Sequence, residues 1–278
     1  MIRSLRPQFP GLSVARMCAL LSVPRSLVYR HRVQPKRSEL LAPIEKLIQL
    51  FHGYGYRRVY RGLRKAGTPA SLYAVRMTMR AHGLQARRPR GKASTKQNPS
   101  DRRFSNLIKG LRASAPNEVW VADITAVRTD SGGVFIASII DLFSRKVVAW
   151  QASRNPNAQL TLACLNKALS ARRPAAGWIH HSDQGSTYTA REYVARIRAA
   201  RGRISMSGRG RPTDNAAMES FYRTLKVEEV RPNHYRNFLE LESSIDRFIT
   251  LYNSERLHSS LDYMSPDQFE ALATGSED

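Results

Sequence analysis

The chain has 278 residues, a formal net charge of +23 and 42% hydrophobic residues, enough apolar content for a sizeable core and too much for a disordered polyelectrolyte. No run of about 18 apolar residues occurs, and the opening Met-Ile-Arg-Ser-Leu-Arg-Pro lacks a secretory apolar segment, so a cytoplasmic protein without a membrane partner is expected. Two cysteines, Cys18 and Cys164, exclude a disulfide framework and a Cys₂His₂ zinc module, and read as buried thiols.

The charge is unevenly spread. Residues 1 to 113 carry 25 Lys and Arg against three acids, whereas the remainder carries 20 against 19. A generally basic surface would not confine its excess to one segment. The pattern is the footprint of a region that lies along a polyanion, and its DNA affinity should fall steeply with salt.

Residues 11 to 32 read as two short helices around a tight turn. Ser13 is positioned to cap the first, which buries Val14, Met17, Cys18 and Leu21. Ser22 is expected to cap the second, with Pro24 in its first turn and Leu27 and Val28 packing back. This helix-turn-helix spacing leaves Arg25, Ser26, Tyr29 and Arg30 facing outward toward a groove. Many helical hairpins never touch DNA, so the charge asymmetry carries the argument here.

A second helical module spans 37 to 86. Leu40, Ile44, Leu47, Ile48 and Phe51 share one face of its first helix, and Gly53 and Gly55 break it. A basic helix follows with Arg57, Arg58, Arg61, Arg64 and Lys65 around Val59, Tyr60 and Leu63, then a last helix from Ser71 to His82. Tyr54, Tyr56, Tyr60 and Tyr73 are candidates for the module's aromatic core, with arginines between them free to reach phosphates. Residues 87 to 117 read as a basic linker.

From Glu118 the pattern turns to strands. Val119–Thr129, Gly133–Ile140 and Lys146–Ser153 suggest an antiparallel meander. A helix over 158–171, a short strand at 178–180, a helix over 189–200, a strand at 204–206 and a helix from about Asn215 to Val230 complete a core of 118–232, followed by a helical tail of 233–278.

Three acids stand in distinctive contexts: Asp123 in W-V-A-D-I-T, Asp183 in H-H-S-D-Q-G-S, and Glu219 in D-N-A-A-M-E-S-F. Brought together, three carboxylates would raise one another's pKa unless a cation sat among them. Hard oxygen ligands without neighbouring Cys suit Mg²⁺ or Mn²⁺ rather than Zn²⁺. Asn215, Arg223 and Lys226 fall on Glu219's helix face. Asn215 either positions a ligand or caps the helix. His180 and His181 adjoin Asp183 but read at least in part as packed strand residues, and Asp141 reads as a turn residue paired to Arg145 rather than a fourth ligand. The stretch S-G-R-G-R-P at 207 to 212 reads as a flexible loop with arginines near DNA.

The 35 residues between Asp183 and Glu219, with G-Y-G-Y-R-R-V at 53–59, I-D-L-F-S-R-K-V-V-A-W at 140–150, H-S-D-Q-G-S-T-Y at 181–188 and R-L-H-S-S-L-D-Y-M-S-P at 256–266, resemble the integrase-like OrfB transposases of insertion-sequence family three. That resemblance implies an α/β, RNase H-like catalytic core of the retroviral integrase type preceded by small all-α helix-turn-helix-like DNA-binding modules. It also implies metal-dependent cleavage at element ends and 3′-OH strand transfer by two ions held by Asp123, Asp183 and Glu219. Lys226 matches a basic residue that contacts terminal DNA, and Arg223, Arg25, Tyr29, Arg30, Arg57, Arg58 and Arg61 are further candidate DNA contacts. The implied partners are double-stranded DNA (terminal repeats and target), further copies of the chain in a synaptic complex, and an upstream-frame DNA-binding protein fused by frameshifting, with nucleoid association when DNA is bound. Asp262 departs from the Gly usual in the tail motif. A catalytically idle DNA-binding regulator keeps the basic modules but not the need for three acids, and a plain RNase H-like nuclease keeps the acids but not the need for basic modules.

Overall fold

The computed structural model describes residues 8–25, 37–86, 104–208 and 215–275. The expected recognition helix with Tyr29 and Arg30, the linker over 87–103 and the loop arginines Arg209 and Arg211 lie outside the described residues.

Five strands form one mixed sheet in the order β3-β2-β1-β4-β5, with β1 Val119–Thr129, β2 Gly132–Asp141, β3 Val147–Ser153, β4 Ile179–Ser182 and β5 Arg203–Met206. The first three are an antiparallel meander, and β4 and β5 add in parallel beside β1. The β1–β2 turn closes at Gly132, whose φ of 116° is a backbone state that only glycine adopts freely. Alternation along β1 sends Trp120 and Ala122 to one face and Val119, Val121 and Val127 to the other, and both faces are covered.

Ahead of the sheet, α1 (Val14–Leu20), α2 (Arg37–Leu50), α3 (Tyr56–Lys65) and α4 (Leu72–Ala81) make up the helical part of the chain. The first face of the sheet packs against α5 (Ala158–Arg172) and α6 (Arg191–Ala199), through Leu160, Cys164, Leu165, Tyr193 and Ile197. Asn157 caps α5 by accepting from the Leu160 N–H at 3.1 Å. The second face packs against α7 (Ala216–Leu225) and α8 (Phe238–Ser254), through Met218, Phe221, Leu225, Leu241 and Ile245. The tail thus lends its first helix to the core that the strands build. A last helix, α9 (Pro266–Thr274), opens with a capping box between Ser265 and Gln268. Glu270 on α9 takes a bond from the Ser144 hydroxyl at 2.6 Å and an ion pair from Arg172 at 2.7 Å, which ties the chain's end to the far end of the sheet.

Before β1, residues 104–117 run along the core rather than away from it: the Met206 N–H donates to the Ser105 carbonyl at 3.1 Å and the Leu107 N–H to the Ser205 hydroxyl at 2.8 Å. This covers the open edge of β5.

In α1, Ser13 accepts from the Arg16 N–H at 3.2 Å, and Met17 and Cys18 are buried as expected. Leu21 is not; it is exposed at the helix end. Ser22 does not cap a following helix either. Its φ of 52° makes it the left-handed turn residue after α1, a state incompatible with the extended backbone of an N-cap. Asp262 likewise sits at φ 49°, which explains why glycine suits this position and why Asp, among the more tolerant residues there, can replace it.

The three helices α2, α3 and α4 pack around Leu40, Ile44, Tyr54, Val59, Leu63 and Val75. Of the four candidate core tyrosines Tyr54 is fully enclosed, Tyr56 and Tyr60 are half-buried, and Tyr73 points to solvent because it falls opposite the Ala74–Val75 stripe of α4.

Candidate active site

Asp123 stands near the middle of β1, the central strand, on the face that α7 covers, because it shares the parity of Val121 and Val127. β4 runs parallel to β1 with Val121 opposite His181, so Asp183 lies two residues beyond the last pair, as Asp123 lies two beyond Val121. Adjacent strands are only about 4.8 Å apart. Glu219 is in the first turn of α7 and exposed. The fold therefore brings all three acids to one end of the sheet.

Their electrostatics agree. Burial pushes the Asp123 carboxyl from 3.8 up to about 7; the Ile124 N–H, 2.8 Å from Oδ1, works against this, the charges of Asp183 and Glu219 raise it further, and Lys226 lowers it. Asp183 is held by the Gly185 N–H at 2.9 Å, and a Cβ on Gly185 would meet the same carboxylate oxygen at 2.9 Å. Among the described residues no three His, Cys, Asp or Glu side chains are gathered closely enough to form a ready metal cage. A carboxylate raised by the charges of two others remains part of a donor set suited to a hard divalent ion.

α7 is fastened to β1 beside Asp123. The Tyr222 hydroxyl donates to the Asp123 backbone carbonyl and lies 3.2 Å from that of Ile136. The Asn215 amide, at the head of the helix, donates to the Ala122 carbonyl at 3.4 Å, while its Oδ1 is buried without a partner among the described residues. Asn215 thus does not cap α7; its side chain crosses to the strand and leaves one acceptor available within the site. Tyr222 was not among the sequence candidates, although an aromatic three residues after Glu219 on the buried stripe was a usable signal. Replacing Tyr222 with Phe removes that hydroxyl from two enclosed carbonyls and is predicted to lower stability by about 1 kcal/mol, readable in a denaturant titration.

The neighbouring histidines are structural. Burial pushes His180 down to about 3, and its Nε2 is 2.9 Å from the Tyr193 hydroxyl. His181 is bracketed by the hydroxyls of Ser205 at 2.8 Å and Ser207 at 3.0 Å. Asp141 is not paired to Arg145 through their side chains: its carboxylate accepts the N–H groups of Asn117, Phe143 and Ser144, and the Arg145 N–H reaches only the Asp141 carbonyl. Three backbone donors satisfy the buried carboxylate at this turn, and the Arg145 guanidinium feels its charge only from beyond ion-pair distance.

Asp123 and Glu219 line a cleft of about 1790 Å³, whose opposite wall is the helical module. Arg223 and Lys226 lie on the side of the acids, and Arg57 and Arg58 on the module side, so four candidate DNA contacts meet in one space. Asp183 is outside that lining. Arg61 instead lies over the Tyr263 ring, 4.9 Å from its centroid, and Arg25 is exposed beside α1.

The module's seat was missed entirely in sequence. After α7 the chain makes a π turn, Lys226–Val230, and Glu228 continues the buried stripe of Phe221 and Leu225. Glu228 receives two bonds from Arg256, Nε at 2.8 Å and Nη2 at 2.7 Å, and both side chains are almost fully enclosed. Gly53 presses on this pair so closely that a Cβ would fall 2.4 Å from Glu228 Oε1. The Leu257 N–H donates to the Tyr54 hydroxyl at 2.6 Å. Two of the sequence motifs, at 53–59 and 256–266, are therefore two halves of one joint.

Comparison with known proteins gives the family. An HTH-like domain matches residues 36–92, and integrase core domain models match 113–212 and 200–266. The transposase for insertion sequence element IS904 of Lactococcus lactis is 37% identical, over 81% of this chain and 92% of its own length. Transposase InsF for insertion sequence IS3A of Escherichia coli is 34% identical, over 93% of this chain and 94% of its own. The chain belongs to the IS3-family transposases. The transposase also shares its fold with a chain of the simian T-cell lymphotropic virus intasome solved with PP2A regulatory subunit B56 gamma, at a TM-score of 0.51 and 17% identity over 82% of this chain and 74% of that one. Its core is RNase H-like, of the retroviral integrase type, with an HTH-like domain before it, and it is a polynucleotidyl-transferase-type enzyme. Among the described residues no helix is long and apolar enough to cross a membrane.

Proposed function

We propose that Asp123, Asp183 and Glu219 are the catalytic carboxylates of this transposase and jointly hold two Mg²⁺ or Mn²⁺ ions while it cleaves insertion-sequence ends and transfers the 3′-OH strand. The observation that carries this is the raised pKa of Asp123 on the central strand, disturbed by both other acids, in a cleft it shares with Glu219. Bound metal would supply a lowered pKa for the attacking water or 3′-hydroxyl and charge stabilisation for the leaving oxygen. The chain's own groups do the positioning: Tyr222 and Asn215 hold the Glu219 helix against the Asp123 strand, and Arg223 and Lys226 offer positive charge to the backbone of the terminal DNA. The partners in this reading are the terminal repeats, target DNA and further copies of the chain that hold two ends together, with fusion to an upstream-frame protein as an additional source of DNA contacts.

The test uses the full chain, Mg²⁺ and a labelled element end. The wild type should join the 3′-OH of that end to another strand. Asp183→Asn should lose joining while retaining most of its DNA binding in a mobility-shift titration, and undiminished joining by that variant would overturn the assignment.

A further inference from the structure

The cleft beside the acids is too large for a small-molecule pocket, which typically measures about 300–1,000 Å³. Its module wall is a set of guanidinium groups, of which Arg58 feels the charge of Glu228 from beyond ion-pair distance. Arg57, Arg58, Arg76 and Arg80 all line it, and among the described residues none has a carboxylate partner within ion-pair distance. Arg57 and Arg76 both lie over the Tyr56 ring, 5.2 and 5.6 Å from its centroid, so one aromatic holds two cations at the cleft in a preset arrangement. Arg58 Nε is buried with no hydrogen-bond partner among the described residues. The N-terminus of α3 opens into the same space at Gly55, which provides no side-chain cap for the first N–H groups. Unpaired, oriented guanidinium groups beside free backbone donors are the chemistry that takes phosphodiesters.

This wall is not free to swing. The enclosed Glu228–Arg256 pair, the contact of Gly53 on Glu228 and the Leu257–Tyr54 bond join the module to the turn that follows the Glu219 helix of the same chain.

We propose that α3 and α4 bind the DNA backbone in cis: Arg57, Arg58, Arg76 and Arg80 of one subunit hold the phosphates flanking the phosphodiester that a water or 3′-hydroxyl attacks beside Asp123 and Glu219 of that same subunit. The proposal rests on the catalytic reading above. The ligand is duplex DNA gripped by its backbone, so these contacts set position and register, and base sequence is read elsewhere. Arg76 and Arg80 are surface residues of α4 and can be truncated without opening the module's core.

The experiment combines two full-length variants, Arg76→Ala with Arg80→Ala, and Asp123→Asn. On an element-end duplex the double variant should lower the slope of log affinity against log salt by roughly two, about 0.9 for each phosphate that is no longer neutralised, and should join DNA at least tenfold more slowly. Asp123→Asn should keep the wild-type slope. An equimolar mixture assembled on DNA should yield no more joined product than the double variant alone, because every subunit lacks either the grip or the acid. Restored joining in the mixture means that one subunit grips and another cuts, and overturns the proposal. An unchanged salt slope in the double variant overturns it as well. Absence of joining by the wild type would instead remove the catalytic reading, and the salt slopes would still decide whether α3 and α4 hold phosphates.

Discussion

Asp123→Asn is predicted to lower DNA joining by about a thousandfold or more and, at the same time, to make the metal-free protein more stable above neutral pH. The two effects have one origin. The carboxyl is largely buried at the cleft wall on the central strand near two other acids, and its pKa rises from 3.8 to about 7. Between pH 4 and 7 the folded protein keeps a proton that the unfolded chain has already released. Stability from this group is therefore present at the acid side, falls as pH rises through that window, and is constant above it. The full difference corresponds to roughly 4 kcal/mol, at 1.36 kcal/mol per pKa unit. Asparagine carries no such charge, so the variant should show a flatter profile of stability against pH from 4 to 8. Magnesium should stabilise the wild type at pH 8, where the carboxylate is ionised and a bound cation would offset its burial, and should do little for the variant. Denaturant titrations at pH 5 and pH 8, each with and without Mg²⁺, measure all of this without DNA. Equal pH slopes for wild type and variant would remove the claim that Asp123 is the strained carboxylate of the site.

Most of the architecture was legible because the core alternates cleanly. Val119–Thr129 was bounded correctly from its β-rich run, and the helix from Ala158 from its apolar face. The acids stand out as a set through their flanking motifs, while the nearness of Asp123 and Asp183 follows from the pairing of β1 with β4, which periodicity does not encode. Other features were hidden for physical reasons. The joint between Gly53 and Glu228 pairs residues 175 positions apart, and a glycine needed for close approach looks, in sequence, like a glycine that merely ends a helix. The carboxylate of Glu228 sits at the i+7 position of the stripe begun by Phe221, where a charge is tolerated only with a partner; that stripe was the available signal, and Arg256 in R-L-H-S-S was the unrecognised answer. Asp141 misled in the opposite direction, since a following Arg suggested an ion pair where the backbone supplies every donor.

Truncating either member of the buried pair should be the most damaging single change outside the catalytic acids. Glu228→Ala strands the Arg256 guanidinium, which lies buried between the Tyr54 and Tyr252 rings at 5.8 and 5.6 Å. Burial alone would lower the pKa of that guanidinium, yet hydrogen bonding to and attraction by Glu228 hold it above the usual arginine range, so the ion has no neutral form to retreat to. The predicted loss is about 3–5 kcal/mol for Glu228→Ala or Arg256→Ala. Glu228→Met combined with Arg256→Met should recover most of it, because a matched apolar pair leaves no stranded charge. Denaturant midpoints of the wild type, Glu228→Met, Arg256→Met and the double methionine variant close a double-mutant cycle, and independent, additive losses would show that the pair is not the coupled unit described here. Function separates from stability in the recovered variant. The pair fixes where the helical module sits on the turn after the Glu219 helix, so an apolar replacement should keep the fold while loosening the angle between the arginine wall and the acids. The methionine pair should therefore bind element ends with near wild-type affinity and join them at least tenfold more slowly, a misplacement cost of the size that small geometric errors impose on positioned reactions.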